Sequence, residues 1–422
     1  MTTATRTTRT AGTPPVTAPS PAARLPPTAS APSLPSLTGL RWVAALLVFG
    51  LHVRNYHYFG GAGDRYATWA FGPGANGVSF FFVLSGFVLT WSARPKDRAL
   101  AFWRRRIARI YPVHLVTAAI ALLMAYTLAH QAKPEPSQTV ANVLLVHSWW
   151  RPWWQTLNPV SWSLACEAFF YAAFPLLALL LRRLGARGTT VLAGASVLAV
   201  LVLAWAETHH WTAESISANP AARLPEFVLG AAAARLVFLD RWRGPGLEAS
   251  LALAVIGYFL VPQVTPGYAA TACTIAGFAL LIPAAAVADL RGLPSLWRRP
   301  RLVRLGELSF AFYMVHLLVL RAGTNVLGLS PQFGVAAGLA VTAGAFALSL
   351  GLSWVLYEKV ERPAQRLLLG GRRAAKARQA EQAQQSLQPA RTGPAPGSSR
   401  AATGGARRVR PGGARSRGDG VR

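Results

Sequence analysis

Apolar runs recur along the chain at lengths near the roughly 20 residues that an α-helix needs to cross a hydrocarbon layer. Ten such spans are expected, at about 38–57, 74–92, 108–128, 161–181, 189–206, 224–239, 247–262, 268–288, 303–321 and 335–357. Most carry few internal charges, and short polar or basic stretches separate them. The pattern predicts an all-α polytopic membrane protein of about ten transmembrane helices.

Charge orients this array. With the N-terminus inside, the inner loops read "ARPKDRALAFWRRRIAR", "RRLGARG", "DRWRGPG" and "DLRGLPSLWRRPRLVR". The outer loops, such as "ETHHWTAESISANP" and "VPQVTPGY", are nearly free of Lys and Arg. By the positive-inside rule both termini are expected in the cytoplasm. A net charge of +28 would suit a nucleic-acid binder, but its concentration in alternate loops assigns it to topology, and no nucleic-acid partner is expected. Composition agrees: 52% of residues are hydrophobic and 14% charged, against about a quarter charged in soluble domains. Cys166 and Cys273 both lie inside apolar segments, which speaks against a disulfide framework or a cysteine metal site.

Three parts follow from these shifts. Residues 1–37, rich in Thr, Ala and Pro, read as a disordered N-terminal segment, neither a cleavable signal peptide nor a helix. Residues 38–366 form the membrane domain. Residues 367–422, rich in Arg, Gly, Ala and Gln, read as a disordered basic cytoplasmic tail. Such a tail serves as a topology determinant or rests on anionic lipid headgroups, where each basic residue gains roughly 1 kcal/mol.

Ionisable residues inside spans are costly and point to function. In "GLRWVAALLVFGLHVRN" (39–55), Arg41 and His52 are eleven positions apart. On a helix that is three turns plus about 20°, so they face the same way, about 16 Å apart along the axis. In the fourth span, "SWSLACEAFFY" places Ser163, Glu167 and Tyr171 at spacings of four, on one face. Glu167 should lie roughly 9 Å below the outer surface. In the ninth, "LSFAFYMVHLLVL" puts Ser309, Tyr313 and His316 on one face. Any one of these buried groups alone reads as a core residue with a satisfied partner. His52, Glu167 and His316 at comparable depth favour a polar site open to the outer face. On the inner side, "FWRRRIARIYP" (102–112) places Arg105, Arg106 and Arg109 at the start of the third span. Arg106 and Arg109, three apart, present adjacent guanidinium forks suited to phosphate. Charge alone would make them topology signals; Arg41 at the same level favours an anion site. No span contains a metal-ligand spacing such as HxxH.

These residues resemble the integral-membrane acyltransferase-3 family, bacterial O-acyltransferases that modify polysaccharides, lipopolysaccharide and some antibiotics. The resemblance covers about residues 36–366. It rests on arginine, ten residues, then histidine (Arg41, His52), with "GVSFFFVLSGFVL" (77–89), "RRIARIYP" (105–112), "WSLACEAFFY" (162–171), "LGELSFAFYMVH" (305–316) and "ERP" (361–363) in order. Two positions depart from it. Ser79 stands where many members carry an aspartate, and Ala168 where many have a second acidic residue, so Glu167 carries more of the argument. No appended esterase-like domain is expected.

The resemblance implies a cytoplasmic acyl-coenzyme A as co-substrate, with no bound cofactor. Arg41, Arg105, Arg106 and Arg109 would hold its phosphates. A sugar hydroxyl needs a general base with a pKa near the operating pH, and histidine supplies one. His52 is the first choice as direct base, ahead of an acyl-histidine intermediate. Glu167 would orient or charge-stabilise it in the manner of a triad, and His316 is the next candidate base. The acceptor is a carbohydrate or a glycosylated small molecule such as a macrolide-type antibiotic. The Ala/Arg/Gly/Pro-rich composition suggests a GC-rich bacterial source, and the expected location is the bacterial plasma membrane. The competing reading, a transporter or flippase, predicts two repeated halves with interrupted helices. No internal repeat is evident, though Pro112, Pro175 and Gly230 are places where helices could break. A structural membrane scaffold would leave the buried ionisable set unexplained.

Overall fold

The computed structural model describes residues 32–93, 97–129, 131–212, 214–263 and 267–370. Among the described residues twelve α-helices follow one another: α1 (Pro35–Asn55), α2 (Gly61–Phe71), α3 (Asn76–Trp91), α4 (Ala99–Thr127), α5 (Pro136–Val143), α6 (Ser161–Arg183), α7 (Ala186–Thr208), α8 (Pro220–Phe238), α9 (Leu247–Leu260), α10 (Ala269–Leu290), α11 (Pro300–Leu327) and α12 (Val335–Leu356). Among the described residues no strand occurs beyond an isolated bridge between Phe59 and Phe333. Residues 1–31 and 371–422 of the expected tails lie outside the described residues.

Each of the ten expected spans falls on a helix. By length and composition, eight helical stretches among the described residues suffice to cross a membrane: α1, residues 61–91, α4, α6, α7, α10, α11 and residues 335–370. Of the other two, α8 carries Arg223, Glu226 and Arg235, and α9 has 14 residues. The protein is an all-α, multi-pass membrane protein. Leu176, Val191 and Leu198 point outward and are exposed, as side chains facing lipid would be.

Helix boundaries differ from expectation where local chemistry extends them. α1 begins at Pro35, inside the stretch expected to be disordered. Proline suits a first helical position because its missing N–H has no intrahelical partner there. The Ser36 N–H and hydroxyl donate to the two Asp289 carboxylate oxygens, each at 2.8 Å. That carboxylate satisfies an orphan donor and complements the positive end of the helix dipole. α4 begins at Ala99 rather than near residue 108, so its arginines sit on the helix itself. Pro112 and Pro175 lie inside continuous helices and interrupt neither. Gly230 also lies within a continuous helix. A Cβ there would stand 1.8 Å from the Val83 carbonyl oxygen, so glycine lets α8 press against α3.

The same device sets α11 against α1. A Cβ on Gly306 would lie 1.8 Å from the Thr38 carbonyl oxygen. Above this contact Trp42, Phe49 and Phe312 interlock, with Phe312 centred 5.1 Å from Trp42 and 5.7 Å from Phe49. Past the end of α1, Phe333 N–H donates to Tyr58 O at 3.1 Å and Gly60 N–H to Phe333 O at 2.9 Å. α1 and the α11–α12 pair are thus joined at both ends, and this fixes what their facing side chains meet.

Candidate active site within the bundle

Five helices surround a cavity of about 130 Å³. α1 contributes Arg41, α4 Arg106 and Arg109, and α6 Ser163, Glu167 and Tyr171, while α11 supplies Ser309 and Tyr313. Phe81, Phe82 and Ser85 of α3 close one side. The three α6 residues share a face, as their spacing of four requires, and all three reach the cavity. Arg109 is exposed and stands at the mouth, whereas Tyr171 is 8% exposed.

The electrostatics bring the arginines and carboxylates together. Glu167 accepts a hydrogen bond from the Tyr171 hydroxyl at 2.8 Å, and its carboxyl feels the charges of Arg41, Arg109 and Arg106. A second carboxyl joins them from beyond α12. Residues Tyr357–Glu361 form a π-turn, a widening suited to Pro363, which has no N–H for the carbonyl four residues earlier. It turns Glu361, 4% exposed, toward the charges of Arg41 and Arg109, with Gln365 Nε2 donating to its Oε1 at 3.1 Å. The adjacent Arg362 points away and binds Glu358 at 2.7 Å. Three guanidinium groups and two carboxyls therefore share the site. Each offsets part of the burial cost of the other, and the balance stays positive.

Arg105 is turned away from this group. It pairs with Asp97 and lines a second cavity, of about 350 Å³, with Phe102, Phe174 and Arg182. The two cavities share Leu89 and Arg106 as a common wall. Arg106 stacks its guanidinium 5.7 Å from the Phe102 ring centre, and its buried Nε has no hydrogen-bond partner.

His52 and His316 form a separate pair. His52 Nδ1 lies 2.9 Å from His316 Nε2, and the His316 Nδ1 lies 3.1 Å from the Phe312 carbonyl oxygen. His316 is fully buried and stacks on Phe312 at 5.7 Å, while His52 keeps part of its surface open. Tyr313 stands between the pair and the cavity: its ring lies 5.9 Å from His316 and its hydroxyl 2.8 Å from Ser163 Oγ. The expected pairing of Glu167 with His52 is not formed. Helix rise placed them at one depth, but α6 turns its polar face toward the arginines, and α11 supplies the partner of His52.

A model of the acyltransferase domain family matches residues 34–358. The chain belongs to the acyltransferase-3 family. Acyltransferase MdmB of Streptomyces mycarofaciens is 40% identical over 367 residues, covering 81% of this chain and 93% of that protein. O-acetyltransferase OatA of Staphylococcus aureus is 31% identical over 163 residues, 34% of this chain and 24% of that protein. Peptidoglycan O-acetyltransferase OatA of Listeria monocytogenes is 28% identical over 159 residues, with the same two shares of 34% and 24%. No solved structure matches the chain. In this acyltransferase-3 protein the strings quoted from the sequence converge: those carrying Arg41, Arg106, Glu167, Ser309 and Tyr313 all reach one cavity.

Two charged elements escaped the sequence reading. Glu361 belongs to "ERP", whose acidic residue carried no assigned role. The other is a buried ion pair in α8, Arg223 to Glu226 at 2.8 Å. Arg223 also donates to Thr271 at 2.7 Å and Ser79 at 3.3 Å, and stacks 4.8 Å from the Tyr268 ring centre. Its cation fills the space beside Ser79, and Glu226 supplies the neutralising carboxylate.

Proposed function

We propose that the protein transfers an acyl group from acyl-coenzyme A to a hydroxyl of a carbohydrate or glycosylated small molecule, with His52 as general base. The carrying observation is the joint placement of an arginine-lined cavity and a histidine pair along one helix. Arg41, in the first two turns of α1, lines the cavity, and His52 stands near the helix's far end. Arg41, Arg106 and Arg109 hold phosphate groups of the donor, Arg109 at the mouth taking the first contact. The second cavity, which shares Arg106 with the first, accepts the remainder of the nucleotide, with Arg105, balanced by Asp97, on its wall. The thioester arm passes the Tyr313 hydroxyl to reach His52.

The chemistry is a balanced exchange. The acceptor oxygen attacks the thioester carbonyl, forming a C–O bond as the C–S bond breaks. His52 takes the hydroxyl proton and returns it to the leaving thiolate, so ester and free coenzyme A are the products. The relatives' names support the reaction type: one is an acyltransferase and two are O-acetyltransferases, the Listeria protein acting on peptidoglycan. The arginine-rich ends of α4 and α6 support a cytoplasmic donor side, and the bacterial sources of the relatives support a bacterial plasma membrane location.

Purified protein supplied with acetyl-coenzyme A and a glycosylated acceptor should release free thiol in step with acylated product. Thiol release independent of every acceptor, or none with any acyl-coenzyme A, would overturn the reading.

A further inference from the structure

His316 has the hydrogen-bonding position that a triad gives to its orienting carboxylate. A backbone carbonyl can only accept, so the 3.1 Å contact with Phe312 O assigns the hydrogen of His316 to Nδ1. In the neutral ring Nε2 then carries a lone pair. That nitrogen lies 2.9 Å from His52 Nδ1, which must donate. The hydrogen of His52 is therefore on Nδ1, and its Nε2 holds the lone pair.

The surroundings keep this order. His316 is fully buried, packed against Phe49 at 6.1 Å, Phe312 at 5.7 Å and Tyr313 at 5.9 Å. Among the described residues no carboxylate is hydrogen-bonded to either of its nitrogens. Were His316 a cation, both its nitrogens would donate, and His52 Nδ1 would have to accept. The hydrogen of His52 would then move to Nε2 and the base would be lost. A neutral partner also spares the bundle a buried carboxylate beside the histidine.

From this chain of donors and acceptors we propose that His316 is the positioning residue of the site: it locks His52 in the tautomer whose Nε2 takes the acceptor proton. The inference rests on the reading of His52 as base. As His52 Nε2 removes the hydroxyl proton, Nδ1–H stays on His316 Nε2 and shares the new positive charge. The proton then leaves from Nε2 to the thiolate, and His316 ends as it began.

The test is nitrogen-15 NMR of the full-length, histidine-labelled protein in lipid, with steady-state rates alongside. His52 should appear as the Nδ1–H tautomer, its resonance assigned by loss in His52→Ala. His316→Phe keeps the ring packing but removes the acceptor; Nε2–H should become populated and kcat should fall by about 10²-fold or more, with donor KM unchanged. His316→Gln returns an acceptor oxygen and should recover the tautomer and at least a tenfold part of the lost rate. An Nε2–H tautomer in the wild type, or equal losses in the Phe and Gln variants, would overturn the proposal. Wild-type turnover in His52→Ala would instead overturn the base assignment, so the two failures are separable.

Discussion

Gly306→Ala tests whether the contact between α1 and α11 sets the histidine geometry. The added methyl would lie 1.8 Å from the Thr38 carbonyl oxygen, where ordinary contact begins near 3.4 Å. The obstacle is backbone, so no side chain can swing away. The two helices must part by about 1.5 Å at this level, since packed interiors hold no spare volume. Such overpacking costs about 1–3 kcal/mol of stability. Both helices run without a break from this contact to the histidines, so the parting is transmitted as a tilt. The His52–His316 hydrogen bond, now 2.9 Å, would stretch past useful range. A misplacement near 1 Å in a catalytic group costs about 10²-fold in rate. We therefore expect kcat, followed as thiol release from detergent-purified protein, to fall by about that factor. Donor affinity should change less, because Arg106 and Arg109 belong to α4. Gly344→Ala, which meets nothing within 4 Å, is the matched control and should behave as wild type. Wild-type kcat in Gly306→Ala, with an unchanged melting temperature, would show that this contact does not set the histidine geometry.

Charge changes in the cavity should act in opposite directions. Arg106→Ala should weaken donor binding by about 1.5–3 kcal/mol, roughly 10–150-fold in Kd, whereas Glu167→Gln, which removes a negative charge beside the arginines, should tighten it by about 1 kcal/mol. Calorimetric titration with coenzyme A checks both, and weaker binding in Glu167→Gln would show that the carboxyl does not oppose the donor's phosphates. A separate prediction concerns His147, in the connection between α5 and α6. Burial, reinforced by the nearby His114, holds it down at about 4 from an ordinary 6.5. Between those values the unfolded chain binds more protons than the folded one, so stability should fall as pH drops through that window, by about 3 kcal/mol in all. Melting temperatures from pH 7.5 to 4.5 should fall with pH, and His147→Gln should make that slope shallower; an equal slope in the variant would assign the effect elsewhere.

The spans were legible because a run of about 20 apolar residues is a length signal that tertiary packing cannot imitate. α2 and α5 carry no such signal: one has 11 residues with Asp64 in its first turn, the other has eight. The faces of single helices were legible too, and Ser163, Glu167 and Tyr171 do share one. Azimuth between helices was not. Spacing along α1 and α6 gives depth, but the direction in which Glu167 points depends on how α6 packs, and it points to Arg41, Arg106 and Arg109. Glu361 was missed because the expected last span closed at 357, whereas the helix continues through the π-turn before Pro363. Arg223 was missed for a related reason: a span opening at 224 leaves it outside, although α8 begins at Pro220 and buries it against Glu226.

In the proposed reaction His52 performs the proton transfer while the arginines hold the donor. His52→Ala, purified and shown to be folded, should be measured for turnover with acetyl-coenzyme A and acceptor and, on the same sample, for coenzyme A affinity. Turnover should fall by about 10²–10⁴-fold with donor Kd nearly unchanged, because the imidazole acts on the acceptor and touches no phosphate. Wild-type turnover in His52→Ala would contradict it and pass the base assignment to His316.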